Sequence, residues 1–149
     1  MLNEVLIQLY ERDLKKVRAE IEQYENDADL WETADGISNS GGNLCLHITG
    51  GLQYLIGAVL GETGYVRDRE AEFTEKSVPR DQLLARIDTT IDSVTSTLAK
   101  LTTADFEKPY PLDILGHPMT SEFFVTHLVG HVNYHLGQIN YHRRILAGS

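Results

Sequence analysis

The chain of 149 residues has one cysteine, one tryptophan and four prolines, and thirteen basic side chains against twenty-two acidic ones. Each scarcity excludes something. One cysteine cannot close an intramolecular disulfide, so no disulfide framework is available, which fits a reducing, cytoplasmic setting. A formal charge of -9 leaves no basic surface for phosphate backbones and argues against a nucleic-acid partner. The N-terminus, Met1-Leu2-Asn3-Glu4-Val5, meets an acid early and builds no apolar core of the signal-peptide kind. No uninterrupted apolar run approaches the roughly 20 residues that cross a bilayer, so no membrane partner is expected. What remains is an ordinary globular composition, long enough for one domain over residues 1–149.

What is present is helical periodicity. Leu2, Val5, Leu6, Leu9, Val17, Ile21 and Tyr24 recur at helix spacing among Lys, Arg and Glu, predicting an amphipathic helix of about six turns. Asn26-Asp27-Ala28-Asp29 ends it, and a loop with Trp31 follows. Ser38, Asn39 and Ser40 are each suitable N-caps for a second helix over residues 43–60. That helix is apolar around most of its girth and should be the most buried. Gly50 and Gly51 cost it about 1 kcal/mol each in propensity, which implies something packed close against the backbone there. Arg67, Asp68, Arg69, Glu70 and Glu72 follow in a run of mixed charge. They either hold an anionic ligand or form a solvated ion-pair cluster, as charge runs usually do. Pro79 opens a third helix that carries Leu83, Leu84, Ile87, Ile91, Val94, Leu98 and Leu101. The pattern lapses between residues 102 and 119, where Leu115-Gly116-His117 can sit in a short extended pair or a loop. Thr120 or Ser121 then caps a fourth helix over residues 122–145. Four long helices with one irregular crossover make an all-α bundle.

Four of the six histidines lie on that last helix, at 127, 131, 135 and 142. At 100° per residue they fall within a stripe about 80° wide, along the border of the apolar face. Imidazole pairs at i and i+4 converge on one metal, so the pair is His127/His131 or His131/His135. A third ligand has to come from another element, and His47 is the only histidine in another long helix. Three histidines and a water leave the open position that catalytic sites use. No glutamate completes a His-Glu-x-x-His pattern, which excludes that protease class. Each histidine also has a structural reading. His127 and His142 can hydrogen-bond at the core edge, His47 can be a satisfied buried residue, and His117 beside Pro118 can be solvated. Cys45 faces nearly away from His47 and reads as a small buried hydrophobe.

The run His131-Val132-Asn133-Tyr134-His135-Leu136-Gly137-Gln138-Ile139, with a lone histidine early in the second helix, resembles the DinB-like family of four-helix-bundle metalloenzymes. Residues 37–47 and 67–73 resemble one branch of it without an assigned reaction. The resemblance implies an up-down-down-up bundle, a homodimer, and a divalent metal, zinc or nickel, held by His47, His131 and His135. It leaves out His127. It further implies a small-molecule substrate and, by analogy with some relatives, transfer of a low-molecular-weight thiol to small electrophiles. Gln138 or Tyr134 would orient the ligands from behind. Two other outcomes are a non-catalytic metal- or small-molecule-binding protein with a stress-response role, and a purely structural bundle.

Overall fold

A computed structural model describes residues 1–148. Six helices build it, with no strand among the described residues: α1 Leu2–Gln23, α2 Gly41–Gly61, α3 Arg69–Thr74, α4 Arg80–Lys100, α5 Thr103–Glu107 and α6 Ser121–Ala147. The four long ones are those that the periodicity predicts. Their caps follow from local chemistry: Ser40 accepts from Asn43 N–H at the start of α2, and Thr120 accepts from Phe123 N–H at the start of α6. Pro79 stands just before α4.

The core forms where the apolar stripes meet. Leu6, Tyr10, Leu14, Val17 and Ile21 of α1 face Leu83, Ile87, Val94 and Leu98 of α4, and Phe124, Val125, Leu128, Val132 and Ile139 of α6. Each such aliphatic side chain contributes about 1.5–3 kcal/mol on burial. Polar clasps set how far α6 slides along α1. The buried carboxylate of Asp13 accepts from Asn133 Nδ2 at 2.7 Å, and Glu20 accepts from both Asn140 Nδ2 and Arg143 Nε at 2.7 Å. Tyr10 donates to the Val125 carbonyl at 2.6 Å. The histidines of α6 are therefore held in register by contacts one to two turns away on either side.

Helix α2 is the buried centre. All residues from Gly41 to Leu52 are buried. An 18-residue stretch of it has a mean hydropathy of 1.5, enough by length and composition to cross a membrane, although Asn43, His47, Thr49 and Gln53 interrupt the apolar run along the helix. Here the helix is the core element of a bundle, and its buried polar residues are bonded: Asn43 donates to the Glu72 and Glu75 carbonyls, and Thr49 to the Cys45 carbonyl. Two features lie outside the sequence expectation. Residues Gln53–Ala58 widen into a π-helical turn, where the Leu55 carbonyl accepts from Tyr110 Oη at 2.6 Å. The charged run after α2 contains the short helix α3, capped by Asp68 accepting from Ala71 N–H.

The crossover before α6 holds α5 and one antiparallel bridge between Pro109 and Thr120, with Tyr110 N–H donating to the Met119 carbonyl at 2.9 Å. The expected extended pair exists, but it lies further from the tip than Leu115-Gly116-His117. Those residues form the turn, with Gly116 at φ 82°.

Candidate metal centre

The glycine pair in α2 has its neighbours: Glu72 and Arg67. A methyl group at Gly50 would run into the Glu72 carboxylate, and one at Gly51 would stand 3.4 Å from the Arg67 guanidinium. Helix α3 can therefore press its one buried acid against α2. Glu72 is 5% exposed. Its Oε1 accepts from His47 Nδ1 at 3.0 Å and from Arg67 Nη2 at 3.0 Å, while Oε2 accepts from Arg67 Nε at 2.8 Å. Burial alone would raise the Glu72 pKa. The hydrogen bonds and charge supplied by His47 and Arg67 outweigh that and hold it below the usual range. This corrects the reading of the charged run as solvated. Asp68, Arg69 and Glu70 are exposed, but the buried Glu72 pairs with a half-buried Arg67 beside His47.

Because an ionised carboxylate only accepts, His47 carries its proton on Nδ1 and presents a lone pair on Nε2. The same logic applies on α6. Gln138, one turn beyond His135, turns its amide oxygen to His135 Nδ1 at 2.7 Å, so the lone pair of His135 is also on Nε2. That atom is buried and has no hydrogen-bond partner among the described residues. His131 completes the group: its Nε2 lies 3.3 Å from Nε2 of His47. Ligand atoms of His47, His131 and His135 all fall within 4.8 Å of one another. The rings of His47 and His135 stand edge to face, as do those of His131 and His135.

A divalent cation fits this donor set. Two nitrogens bound tetrahedrally at 2.0–2.1 Å lie about 3.3 Å apart. Without a cation, His131 Nε2 can still donate to His47 Nε2, but His135 Nε2 is left unpartnered, and a buried orphan nitrogen is a cost. Protonation is a poor remedy. Burial, followed by the neighbouring His135 and His47, lowers the His131 pKa to about 4, and burial lowers that of His135 as well. His131 and His135 therefore stay neutral at pH 7. In the carboxylate–histidine and amide–histidine pairs, Glu72 and Gln138 fix which nitrogen faces the centre.

The other histidines separate cleanly. His127 is exposed, lies over the Phe123 and Phe124 rings, and stands outside the three-histidine group. Of the two spacing-compatible pairs, the structure brings His131 and His135 to His47. His142 is buried and fully bonded: Nδ1 accepts from Tyr24 Oη at 2.7 Å and Gly41 N–H at 3.3 Å, and Nε2–H donates to the Glu32 carbonyl at 2.7 Å. His117 is exposed in the crossover. Cys45 is buried in the core, and burial pushes its thiol up to about 12, so it is no nucleophile. Tyr134 is 65% exposed, and its ring packs edge to face against that of His135, 5.2 Å between centroids. Glu72 is the residue that sequence reasoning missed, and Gly50-Gly51 was the signal for it.

Beside the three histidines a cavity of about 380 Å³ opens, lined by His47, His127 and His131, two arginines and otherwise apolar side chains, including Leu52, Leu55, Phe124 and Leu128. That size falls within the range of small-molecule pockets, roughly 300–1,000 Å³.

A helical bundle with three convergent imidazoles drawn from two helices is the class of protein this geometry defines. The chain belongs to the DinB superfamily, whose family model matches residues 9–139. Two solved structures share the fold. A conserved protein from Enterococcus faecalis has a TM-score of 0.76 at 16% identity, covering 98% of this chain and 97% of its own. A DinB-like protein from Bacillus cereus has a TM-score of 0.74 at 20% identity, covering 97% and 92%. No functionally curated protein matches the sequence significantly.

Proposed function

We propose that this chain is a metal-dependent enzyme whose centre is a divalent cation, zinc or nickel, held by His47, His131 and His135. The reaction proposed is transfer of a low-molecular-weight thiol to a small electrophile. One observation carries the reading: three imidazole lone pairs converge at the edge of a small-molecule cavity, with two of the rings fixed from behind by Glu72 and Gln138. Such an ion would lower the pKa of a thiol or water in the remaining position, so that the anion exists at neutral pH. The protein's own residues do the rest. Glu72 and Gln138 hold the ring tautomers. The apolar wall of Leu52, Leu55, Phe124 and Leu128 excludes water from the electrophile. His127 lines the same cavity without joining the cluster and is the group that would take up the thiol proton.

The test is consumption of a thiol with a model electrophile by the metal-loaded protein, beside a His131→Ala variant. The variant should fall to the uncatalysed rate. Equal rates would remove the enzymatic reading, and bound metal without turnover across a thiol and electrophile panel would favour a non-catalytic binding protein.

A second copy of the chain is the partner we propose. On the outer face of α6, Phe123, Tyr134, Tyr141 and Ile145 are exposed at heptad-like spacing, with exposed Gly130 and Gly137 between them. Light scattering should give twice the chain mass, and Tyr134→Glu with Tyr141→Glu should give the monomer. An unchanged mass would place the interface elsewhere.

A further inference from the structure

Charge is sorted around α3. The acids of this segment turn to one side: Asp68, Glu72 and Glu75 line a separate cavity of about 460 Å³ against α4. The cations turn to the other. Arg67 and Arg69 line the cavity beside the histidines, and no acidic residue lines it, in a chain of formal charge -9. The two arginines are not equivalent. Arg67 is spent on Glu72 through two hydrogen bonds. Arg69 has no ion pair or side-chain hydrogen bond among the described residues. Its guanidinium lies 5.8 Å from the centre of the Phe73 ring, and Phe73 in turn packs 5.0 Å from His47. Arg69 is thus steered toward the histidine cavity, with five N–H donors and no protein acceptor among the described residues.

We infer that this cavity binds a small monocarboxylate with an apolar body, its carboxylate on Arg69 and its body against the wall formed by Leu52, Leu55, Leu115, Phe124 and Leu128. One free guanidinium offers the planar, two-pronged donor pair that a carboxylate matches. Apart from the three histidines and Arg67, which is already paired with Glu72, the wall is aliphatic and aromatic, so a second charge on the ligand's body would be buried against apolar groups. The volume of about 380 Å³ admits a chain or ring of moderate size and excludes a polymer. Arg69 is exposed, so the carboxylate stays at the rim while the rest of the ligand reaches inward past His131. This inference rests on the reading of the histidine cavity as the functional site and names the class of molecule that site takes.

The experiment is calorimetric titration of the full chain with octanoate, octanamide and octylamine. It is run on protein freed of metal by chelation and again on zinc-loaded protein, with zinc content measured separately. On the metal-free protein, octanoate should bind at least tenfold more tightly than octanamide, and octylamine should not bind detectably. Arg69→Gln should bring octanoate down to the octanamide value while leaving the thermal melt unchanged, since its side chain is at the surface. Leu115→Asp, in the crossover turn, should weaken both ligands together. Equal affinity for octanoate and octanamide would overturn the inference. So would an octanoate preference that survives Arg69→Gln, or ligand binding untouched by Leu115→Asp. Zinc bound without carboxylate selectivity defeats this inference alone. Carboxylate selectivity without stoichiometric zinc defeats the metalloenzyme reading instead.

Discussion

Helix α6 carries two kinds of buried histidine environment, one or two turns apart, and they differ in one respect. At His142 both ring nitrogens are used: Tyr24 and Gly41 donate to Nδ1, and Nε2 donates to Glu32. At His135 only Nδ1 is used, by Gln138, and Nε2 is buried with nothing to bond. His47, facing it from α2, likewise has Nδ1 taken, by Glu72, and turns Nε2 toward His131 Nε2 at 3.3 Å. The helix and the residue type are the same, and the spacing nearly so. What separates a structural histidine from a candidate ligand is whether the rest of the fold satisfies one nitrogen or two. Two histidines whose Nδ1 is held from behind, with Nε2 aimed at one point beside a third, form a group that could hold a cation.

Exchanging the two environments should give the largest effects. His131→Ala or His135→Ala should abolish stoichiometric zinc binding by elemental analysis while shifting the metal-free melt little, because both side chains are partly exposed. His142→Ala should do the reverse. It strands the Gly41 N–H and the Glu32 carbonyl and leaves the Tyr24 hydroxyl only its longer bond to the Ile139 carbonyl, around a void, costing about 2–5 kcal/mol in denaturant unfolding, with zinc stoichiometry intact. If His142→Ala lost the metal and His131→Ala kept it, the distinction would fail.

Next in size is the support beneath His47. Glu72→Gln keeps the shape but removes the charge that fixes the Nδ1 proton and pairs with Arg67. Zinc affinity, measured against a competing chelator, should drop about 10- to 100-fold. An unchanged affinity would mean that His47 is oriented by packing alone. Gly50→Ala probes the same contact from the other helix. Its methyl group displaces the Glu72 carboxylate, so a loss of about 1–3 kcal/mol of stability should accompany a smaller loss of zinc affinity.

The smallest effect is one of pH. His131 titrates near 6.5 when unfolded and at about 4 when folded, and His135 shifts in the same direction. Between those values the unfolded chain binds more protons, so stability rises with pH. The contribution is complete above pH 6.5 and is lost as pH falls toward 4. Glu72, also lowered, adds acid sensitivity only below its ordinary 4.5, which leaves the window from 4.5 to 6.5 to the histidines. The metal-free protein should melt lower at pH 5 than at pH 7, and His131→Asn should flatten that slope. A slope unaltered in the variant would assign the acid sensitivity elsewhere.

The long helices were legible because their apolar residues repeat at the helical period and their ends carry Ser40, Pro79 and Thr120. The stripe on α6 was legible for the same reason, but spacing could not choose between His127/His131 and His131/His135. That choice depends on how α6 is held against α1 by Asp13 and Glu20, and on where α2 presents His47. Helix α3 was hidden because its six residues, with Phe73 as the one large apolar side chain, are too few to show an apolar period. Glu72 was hidden because burial of an acid depends on a partner, Arg67, and on a gap in another helix. The gap was visible as Gly50-Gly51, but what filled it was not. The satisfaction of His142 was equally out of reach, since its partners Tyr24, Glu32 and Gly41 come from more than a hundred residues away. The π turn at Gln53–Ala58, whose Leu55 carbonyl accepts from Tyr110 Oη, leaves no mark in the local sequence.

Diffraction at the zinc edge, from crystals of untagged protein loaded with one equivalent of zinc, tests the central claim most directly. The account predicts a single strong anomalous peak between the Nε2 atoms of His47, His131 and His135, with nitrogen distances of about 2.0–2.1 Å. A peak bound instead by His127 or His142, or no stoichiometric zinc at all, would contradict it.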